Sequence, residues 1–390
     1  MLAIVLGLMV LSLIIWLGLL SLRGQFWRLD QQLEVIQPQR ESLPSVCAVI
    51  PARNEADVLP MSLRSLLLQD YDGNFNIFLV DDRSTDGTAA CAEGVAHAVD
   101  RPQQLQIISG EPLPSGWSGK LWAVQQGIRY VETLHVTSLP EYFLLTDADI
   151  EHDVNNLRRL VTKAEQENLD LVSVMVRLRC DSRWEKFLIP AFVFFFQKLY
   201  PFRWVNHPKN PTAAAAGGSI LIRRTALERI GGIAAIRQAL IDDCALANAV
   251  KSNQGRIWLG LSSLTRSLRP YNSLETIWNM VARTAYTQLN YSPVLLLGTV
   301  VAMTLIYLMP PLGVIIGVIL GNWTIAIIGL VTWLLMALAY LPIIRFYQCS
   351  PLLAFSLPAI ALLYTLMTID SAIRHWQGRG GAWKGRVYPS

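Results

Sequence analysis

The chain has 390 residues, too many for one average domain and enough for two or three. Hydrophobic residues make up 52% and charged residues only 16%, against about 25% charged in a soluble protein, so a wholly water-soluble chain is excluded. The net charge of +4 comes from scattered basic residues, which excludes a nucleic-acid partner that would need a dense basic patch.

The first element, "LAIVLGLMVLSLIIWLGLLSL" at 2–22, carries no charge and is long enough to cross a hydrocarbon core as a helix. It lacks the basic start and small-residue cleavage site of a secretory signal, so we read residues 1–23 as a retained anchor. Arg23 and Arg28 follow it, which puts the next domain in the cytosol of an inner-membrane, multi-pass protein.

From 44 to 270 short β-rich runs alternate with helical segments. "SVCAVIPA" (45–52), "NIFLVDD" (76–82), "LQIISG" (105–110), "YFLLTDAD" (142–149) and "LDLVSVMV" (169–176) read as strands. Helical patterns fall near 57–69, 87–97, 119–132 and 153–167, so the expected class is α/β, a mostly parallel sheet with helices on both faces. In such sheets ligands bind beyond the carboxyl ends of the strands. There stand Arg53, Asn54, Glu55 and Asp57 after the first strand, Asp81 and Asp82 after the second, and Asp147 and Asp149 after the fourth. One cluster alone reads as a turn or a helix cap, with Asn54 or Ser84 capping the helix that follows. Three clusters on one edge need a counter-charge, and all-oxygen ligands suit Mg²⁺ or Mn²⁺ with positions left open for a diphosphate.

Neither a P-loop nor a G-x-G-x-x-G after the first strand occurs. "SGWSGKLWA" (115–123) places Lys120 beside glycines at a helix start, where it either meets phosphate or simply takes solvent. The stretch 184–204 has an apolar centre too short to span, flanked by charges and by Trp184, Tyr200 and Trp204, and reads as an interfacial aromatic helix. A buried helix of a soluble domain is the alternative. Apolar character returns over 293–344, interrupted at Pro310-Pro311 and Gly321-Asn322, and again over 352–370, giving about three C-terminal helices within 290–373. Four spans place both termini outside, yet the tail 374–390 carries Arg374, Arg379, Lys384 and Arg386, which favour the cytosol. Five widely spaced cysteines without a C-x-x-C pair read as reduced, mostly buried thiols.

Taken in order, "VIPARNEAD", "VDDRSTDGT", "GKLWAVQQG", "TDADI", "AAGGSILIRR" and "IDDCAL" resemble the motifs of the family-2 inverting glycosyltransferases of GT-A fold, over roughly 46–270. The whole chain, with its tail "GGAWKGRVYP", most resembles the bacterial hopene-associated membrane glycosyltransferases and, more distantly, the ceramide glucosyltransferases. The resemblance implies that Pro51, Ala52, Glu55, Asp81 and Asp82 line the nucleoside pocket, with Lys120 and Asp147 at the diphosphate. It implies a D-x-D pair, Asp147 and Asp149, on the metal, and an acceptor side at Gly217, Gly218 and Arg283. Asp243 matches the base, beside Asp242. The partners implied are a nucleotide-diphosphate sugar, usually a uridine diphosphate sugar, and a lipid acceptor of hopanoid or sphingolipid kind. One departure stands out: the Q/R-x-x-R-W motif of many membrane relatives is replaced by "MVARTAYTQLNY", with Arg283 but no Trp. Two other functions fit parts of the pattern. A nucleotidyltransferase would leave Asp243 idle, and a non-catalytic nucleotide-sugar or lipid binding module would not need it.

Overall fold

The computed structural model describes residues 2–35, 43–134 and 139–379 and the backbone of 382–383 and 386–387; of the basic tail, Lys384 lies outside the described residues and Arg386 is described by its backbone alone. One sheet organises the polar region. It contains β1 (Val46–Ala52), β2 (Phe75–Asp81), β3 (Leu105–Ser109), β4 (Tyr142–Thr146), β5 (Ile150–Glu151), β6 (Leu171–Arg177), β7 (Ser219–Arg223) and β8 (Ile257–Ser267), in the order β3-β2-β1-β4-β7-β6-β8-β5. Strands β1 to β4 run parallel. β7 lies antiparallel between β4 and β6, β8 is parallel to β6, and β5 is antiparallel to β8.

The sequence pattern finds β1 to β4 and β6 but passes over β7 and β8. β7 sits between a glycine pair and the helix Arg224–Arg229, so turn signals mask it. β1 is buried along its whole length, the mark of a strand covered on both faces. Pro51 is tolerated there because pairing with β4 ends at Val49, and no ladder bond on that side needs its missing N–H.

The helices are α1 (Leu2–Leu22), α2 (Leu59–Leu67), α3 (Thr88–Ala98), α4 (Gly119–Leu134), α5 (Asn156–Gln166), α6 (Arg183–Leu199), α7 (Phe202–Val205), α8 (Arg224–Arg229), α9 (Asp242–Ser252) and α10 (Leu274–Ala282). Beyond them come α11 (Pro293–Met303), α12 (Met309–Ile319), α13 (Trp323–Phe346) and α14 (Leu357–Trp376). Alternate strand residues feed two cores. Val46, Ala48, Ile50, Leu79 and Leu144 pack with Leu63, Ala92 and Leu160 of α2, α3 and α5. Cys47, Val49, Val80, Phe143 and Leu145 belong to the other core, which takes in Val124 and Ile128 of α4 and continues through α6 to Tyr340 and Tyr364. Gly127 lets α4 lie close on β1, since a Cβ there would stand 2.5 Å from Val49.

Four helical segments are long and apolar enough to cross a membrane: Leu2–Leu22, Pro293–Ile319, Trp323–Phe346 and Pro351–Trp376. Pro293–Ile319 stays helical through a π-turn at Thr304–Leu308. The Ile306 carbonyl in that turn accepts a 2.8 Å bond from the Trp16 indole of α1, which fastens the first helix to the later ones. Gly313 against Met9 and Gly329 against the Pro310 carbonyl allow the close helix contacts typical of apolar bundles. The helix is interrupted at Gly321-Asn322, where Asn322 caps α13.

Helix α6 joins the two regions. Its start is a capping box of Ser182 and Glu185, and its aromatic face packs Phe194 on Tyr340 and Phe195 on Tyr364. The Tyr364 hydroxyl donates to the Leu188 carbonyl at 2.9 Å. Only Trp184 and Leu199 are exposed among its large apolar side chains.

Candidate active site

At the carboxyl end of β4, Asp147 enters a cleft walled by Pro51, Leu121, Leu145 and Ile236 and floored by Gly217 and the start of α9. Lys120, in the first turn of α4, lies 2.8 Å from Asp147 Oδ1 and 3.1 Å from Asp242 Oδ2. Burial disfavours its charge, but Asp147, Asp242 and Asp243 together hold the ammonium well above its ordinary value. Asp243 Oδ2 accepts from the Gly217 N–H at 2.9 Å, and Oδ1 from the Cys244 N–H at 2.7 Å. Burial and the neighbouring Asp242 push the Asp243 carboxyl up to about 6 against the pull of Lys120. Asp147 is also raised, by burial first, with Lys120 opposing and Asp149 adding to it. One cation thus serves three carboxylates. Gly217 packs close under this group: a Cβ there would lie 3.2 Å from Lys120 Nζ, so the lysine end would have to shift by a few tenths of an ångström.

Beyond β1 and β2 the loops are stitched to each other. The Asn54 N–H donates to Ser84 Oγ, and the Thr85 N–H donates back to Asn54 Oδ1, both at 2.9 Å. Asn54 and Ser84, expected as helix caps, instead bond across the two loops, because α2 and α3 start later, at Leu59 and Thr88. Asn54 holds a left-handed φ of 51°, which asparagine tolerates. The Glu55 N–H donates to Thr88 Oγ1 and the Ala56 N–H to Asp86 Oδ2. Asp81 Oδ1 accepts from the Ser84 N–H, while Asp82 is almost wholly buried beside Arg53, at 3.7 Å, and its N–H donates to the Ala52 carbonyl. Ala52 is wholly buried and, unlike Pro51, does not line the cleft around Asp147.

Asp149 does not share the cleft with Asp147 as a simple D-x-D pair. It is 5% exposed, and its Oδ2 accepts from Arg269 Nε at 2.9 Å and Ser267 Oγ at 3.3 Å. Arg269 Nη2 also reaches Glu55 Oε1 at 3.0 Å, so one guanidinium ties the loop after β1 to the end of β4. Burial opposes its charge, yet Asp149 and Glu55 hold it above the ordinary arginine value. The sequence reading missed Arg269, whose partners stand 120 and 214 residues away. It missed His152 as well. The His152 ring lies buried between Thr146 Oγ1 and Asn156 Nδ2, both at 2.9 Å. Because the Thr146 hydroxyl donates to the Gly218 carbonyl, it accepts from Nε2–H, and the ring is the Nε2–H tautomer with Nδ1 receiving Asn156. Burial drops its pKa to about 3, so it stays neutral and braces Thr146 and Gly218. Gly218 faces Val176 and Ile150 and packs under the site rather than into it.

Arg283 ends α10 and is exposed. Burial, with Asp149 and Asp147, raises the half-buried Tyr271 phenol, and Arg283, like Arg269, pulls it down. The oxygen donors suit a hard cation in kind. Among the described residues no three His, Cys, Asp or Glu side chains close a cage, so the protein would give such an ion Asp147 and, once released by Arg269, Asp149. The remaining positions fall to diphosphate oxygens.

Residues 47–231 match the family model described as glycosyl transferase family 2. The mannosyltransferase PcManGT from Pyrobaculum calidifontis, in complex with GDP-Man and Mn²⁺, is similar over 95% of this chain and 99% of its own, with TM-score 0.54 and 17% identity. Glucosyl-3-phosphoglycerate synthase from Mycobacterium tuberculosis, in complex with Mg²⁺ and uridine diphosphate, covers 63% of this chain and 79% of its own at 17% identity, with TM-score 0.38. No curated protein matches the chain. The chain therefore carries a family-2 glycosyltransferase domain of GT-A fold and is a glycosyltransferase.

Proposed function

We propose that the protein moves a sugar from a nucleoside-diphosphate donor, in the first instance a uridine diphosphate sugar, to a hydroxyl of a membrane lipid with inversion at the anomeric carbon. The observation that carries this reading is Asp243. Its carboxylate is fixed by two backbone N–H groups at the mouth of the Lys120–Asp147 cleft, with a pKa raised to about 6, which makes it a stronger base than an ordinary aspartate and still ionised at neutral pH. Asp243 takes the proton of the acceptor hydroxyl as its oxygen attacks the anomeric carbon, and the diphosphate leaves from the opposite face. Lys120 stands where the charge of the leaving group grows. Pro51, Glu55, Asp81 and Asp82 surround the nucleoside, and Arg283 and Gly217 face the acceptor. Mg²⁺ or Mn²⁺, held by Asp147 and Asp149, would supply Lewis-acid help to the departing diphosphate.

The acceptor class rests on the surroundings of the base. Asp243 and Cys244 act on the Tyr200 hydroxyl at the end of α6, and that hydroxyl accepts from Gln288 just before α11. The base therefore looks toward the junction where the chain enters its apolar helices. The polycyclic or sphingolipid-like character of the lipid rests on the resemblance alone, and the cytosolic placement of the domain on Arg23 and Arg28. The test is stereochemical: NMR of the glycolipid made from an α-linked donor should show a β-linked sugar. Retention of the donor's configuration would rule out direct displacement with Asp243 as base.

A further inference from the structure

We propose that Cys180 and Cys349 form a redox-reversible disulfide that staples the glycosyltransferase domain to its membrane helices. Their sulfurs stand 3.9 Å apart although 169 residues separate them. Cys180 follows β6, and Cys349 lies in the short turn between α13 and the next apolar segment, outside both candidate spans. The two backbones are already tied beside the sulfurs: the Leu178 N–H donates to the Tyr347 hydroxyl at 3.3 Å, and Arg177 Nη2 to the Tyr347 carbonyl at 3.4 Å. The remaining approach is from 3.9 Å to the roughly 2.0 Å of a disulfide. Both thiols are half-buried, as are Cys91 and Cys244, which corrects the expectation of mostly buried cysteines; only Cys47 is fully inside.

The surroundings are those of a reactive thiol. The hydrogen bond from Cys180, helped by Lys186 and Arg177 against some burial, lowers Cys349 to about 7. The same bond and burial push Cys180 up, so the pair holds a nucleophile and a resolving thiol. The oxidant is a small disulfide such as oxidised glutathione. Cys349 thiolate attacks one of its sulfurs, forming a mixed disulfide and releasing one glutathione thiolate. Cys180, giving up its proton, then attacks Cys349 Sγ and expels the second, which takes that proton. Two protein thiols are oxidised and one small disulfide is reduced. The staple sits at the root of a bond chain toward Arg269: the Asp181 N–H and the Tyr271 N–H both donate to the Glu185 carboxylate, and Tyr271 is two residues from Arg269.

The experiment treats the purified full chain in detergent with oxidised glutathione, blocks free thiols and maps the peptides without reduction. The expected result is a linked Cys180–Cys349 peptide that dithiothreitol separates. Cys180→Ser should leave glutathione on Cys349, and Cys349→Ser should leave Cys180 unmodified. Recovery of both cysteines as free thiols, or of glutathione retained on Cys349 in the unaltered chain, would overturn the proposal.

Discussion

The two halves of the cleft treat their carboxylates differently. On the side of β1 and β2, and at Asp149 past β4, the acids have fixed company: Asp82 lies beside Arg53, Glu55 and Asp149 share Arg269, and Asp81 accepts a loop N–H. Around β4 and α9, Asp147 and Asp242 both reach for Lys120, and Asp243 has only backbone donors. The first arrangement builds a seat. In the second, burial first and then the neighbouring acids raise the proton affinities of Asp147 and Asp243 against the pull of Lys120, and groups in that condition are the ones able to exchange protons and counter-ions during a reaction.

The comparison breaks most visibly at the base. Asp243→Asn keeps the shape but can accept only one of the two backbone N–H groups, because its amide nitrogen donates; it also removes the proton acceptor, and turnover should fall about 100- to 10,000-fold. Donor affinity, measured by calorimetry, should stay within a few-fold; an equal loss of both would make Asp243 a binding residue instead. Lys120→Met comes next. It strips the common cation from three acids, so kcat/KM should drop on the order of 100-fold. Below about pH 6 the rate of the unaltered enzyme should fall tenfold per unit as Asp243 takes a proton, since the proposed base works only as the carboxylate. In Lys120→Met that acid limb should move to higher pH, because the lysine holds the Asp243 carboxyl down. An unmoved limb would detach Lys120 from the base.

Changes on the seat should read out as stability and donor KM, leaving the pH limb in place. Arg269→Gln leaves the buried Asp149 without its guanidinium; with Arg269 37% exposed, water takes up part of the loss, and about 1–2 kcal/mol is expected from the thermal unfolding curve. The smallest effect belongs to Asn54→Ala. It removes one loop-to-loop bond and places alanine at a positive φ, for about 1 kcal/mol with kcat intact. A large kcat loss there would mean that the seat itself takes part in the chemistry.

Much of this was legible in the chain. Strand runs with acids at their ends announce both the parallel sheet and the edge that carries the site, since a buried strand has a composition of its own and three acid clusters on one edge are more than turns and caps require. Asp147, Asp243, Lys120 and Gly217 come together as the motif order implies. What stayed hidden depends on contacts between distant segments. Arg269 looks like any arginine in a loop until folding brings Glu55 and Asp149 to it. His152 sits one residue past a short strand, and only the buried Thr146 and Asn156 reveal its bracing role. The antiparallel β7 is disguised by its flanking glycines, and the Cys180–Cys349 approach by 169 intervening residues.

The measurement closest to the central claim is transfer of label. The full chain, reconstituted with total bacterial lipid and Mg²⁺ or Mn²⁺, would be given nucleotide sugars labelled in the sugar, and the organic-solvent extract counted beside an Asp243→Asn control. The account predicts label in the lipid fraction, matched by nucleoside diphosphate release and lost in the variant. Label appearing only on a water-soluble product, or equal transfer by the variant, would contradict it.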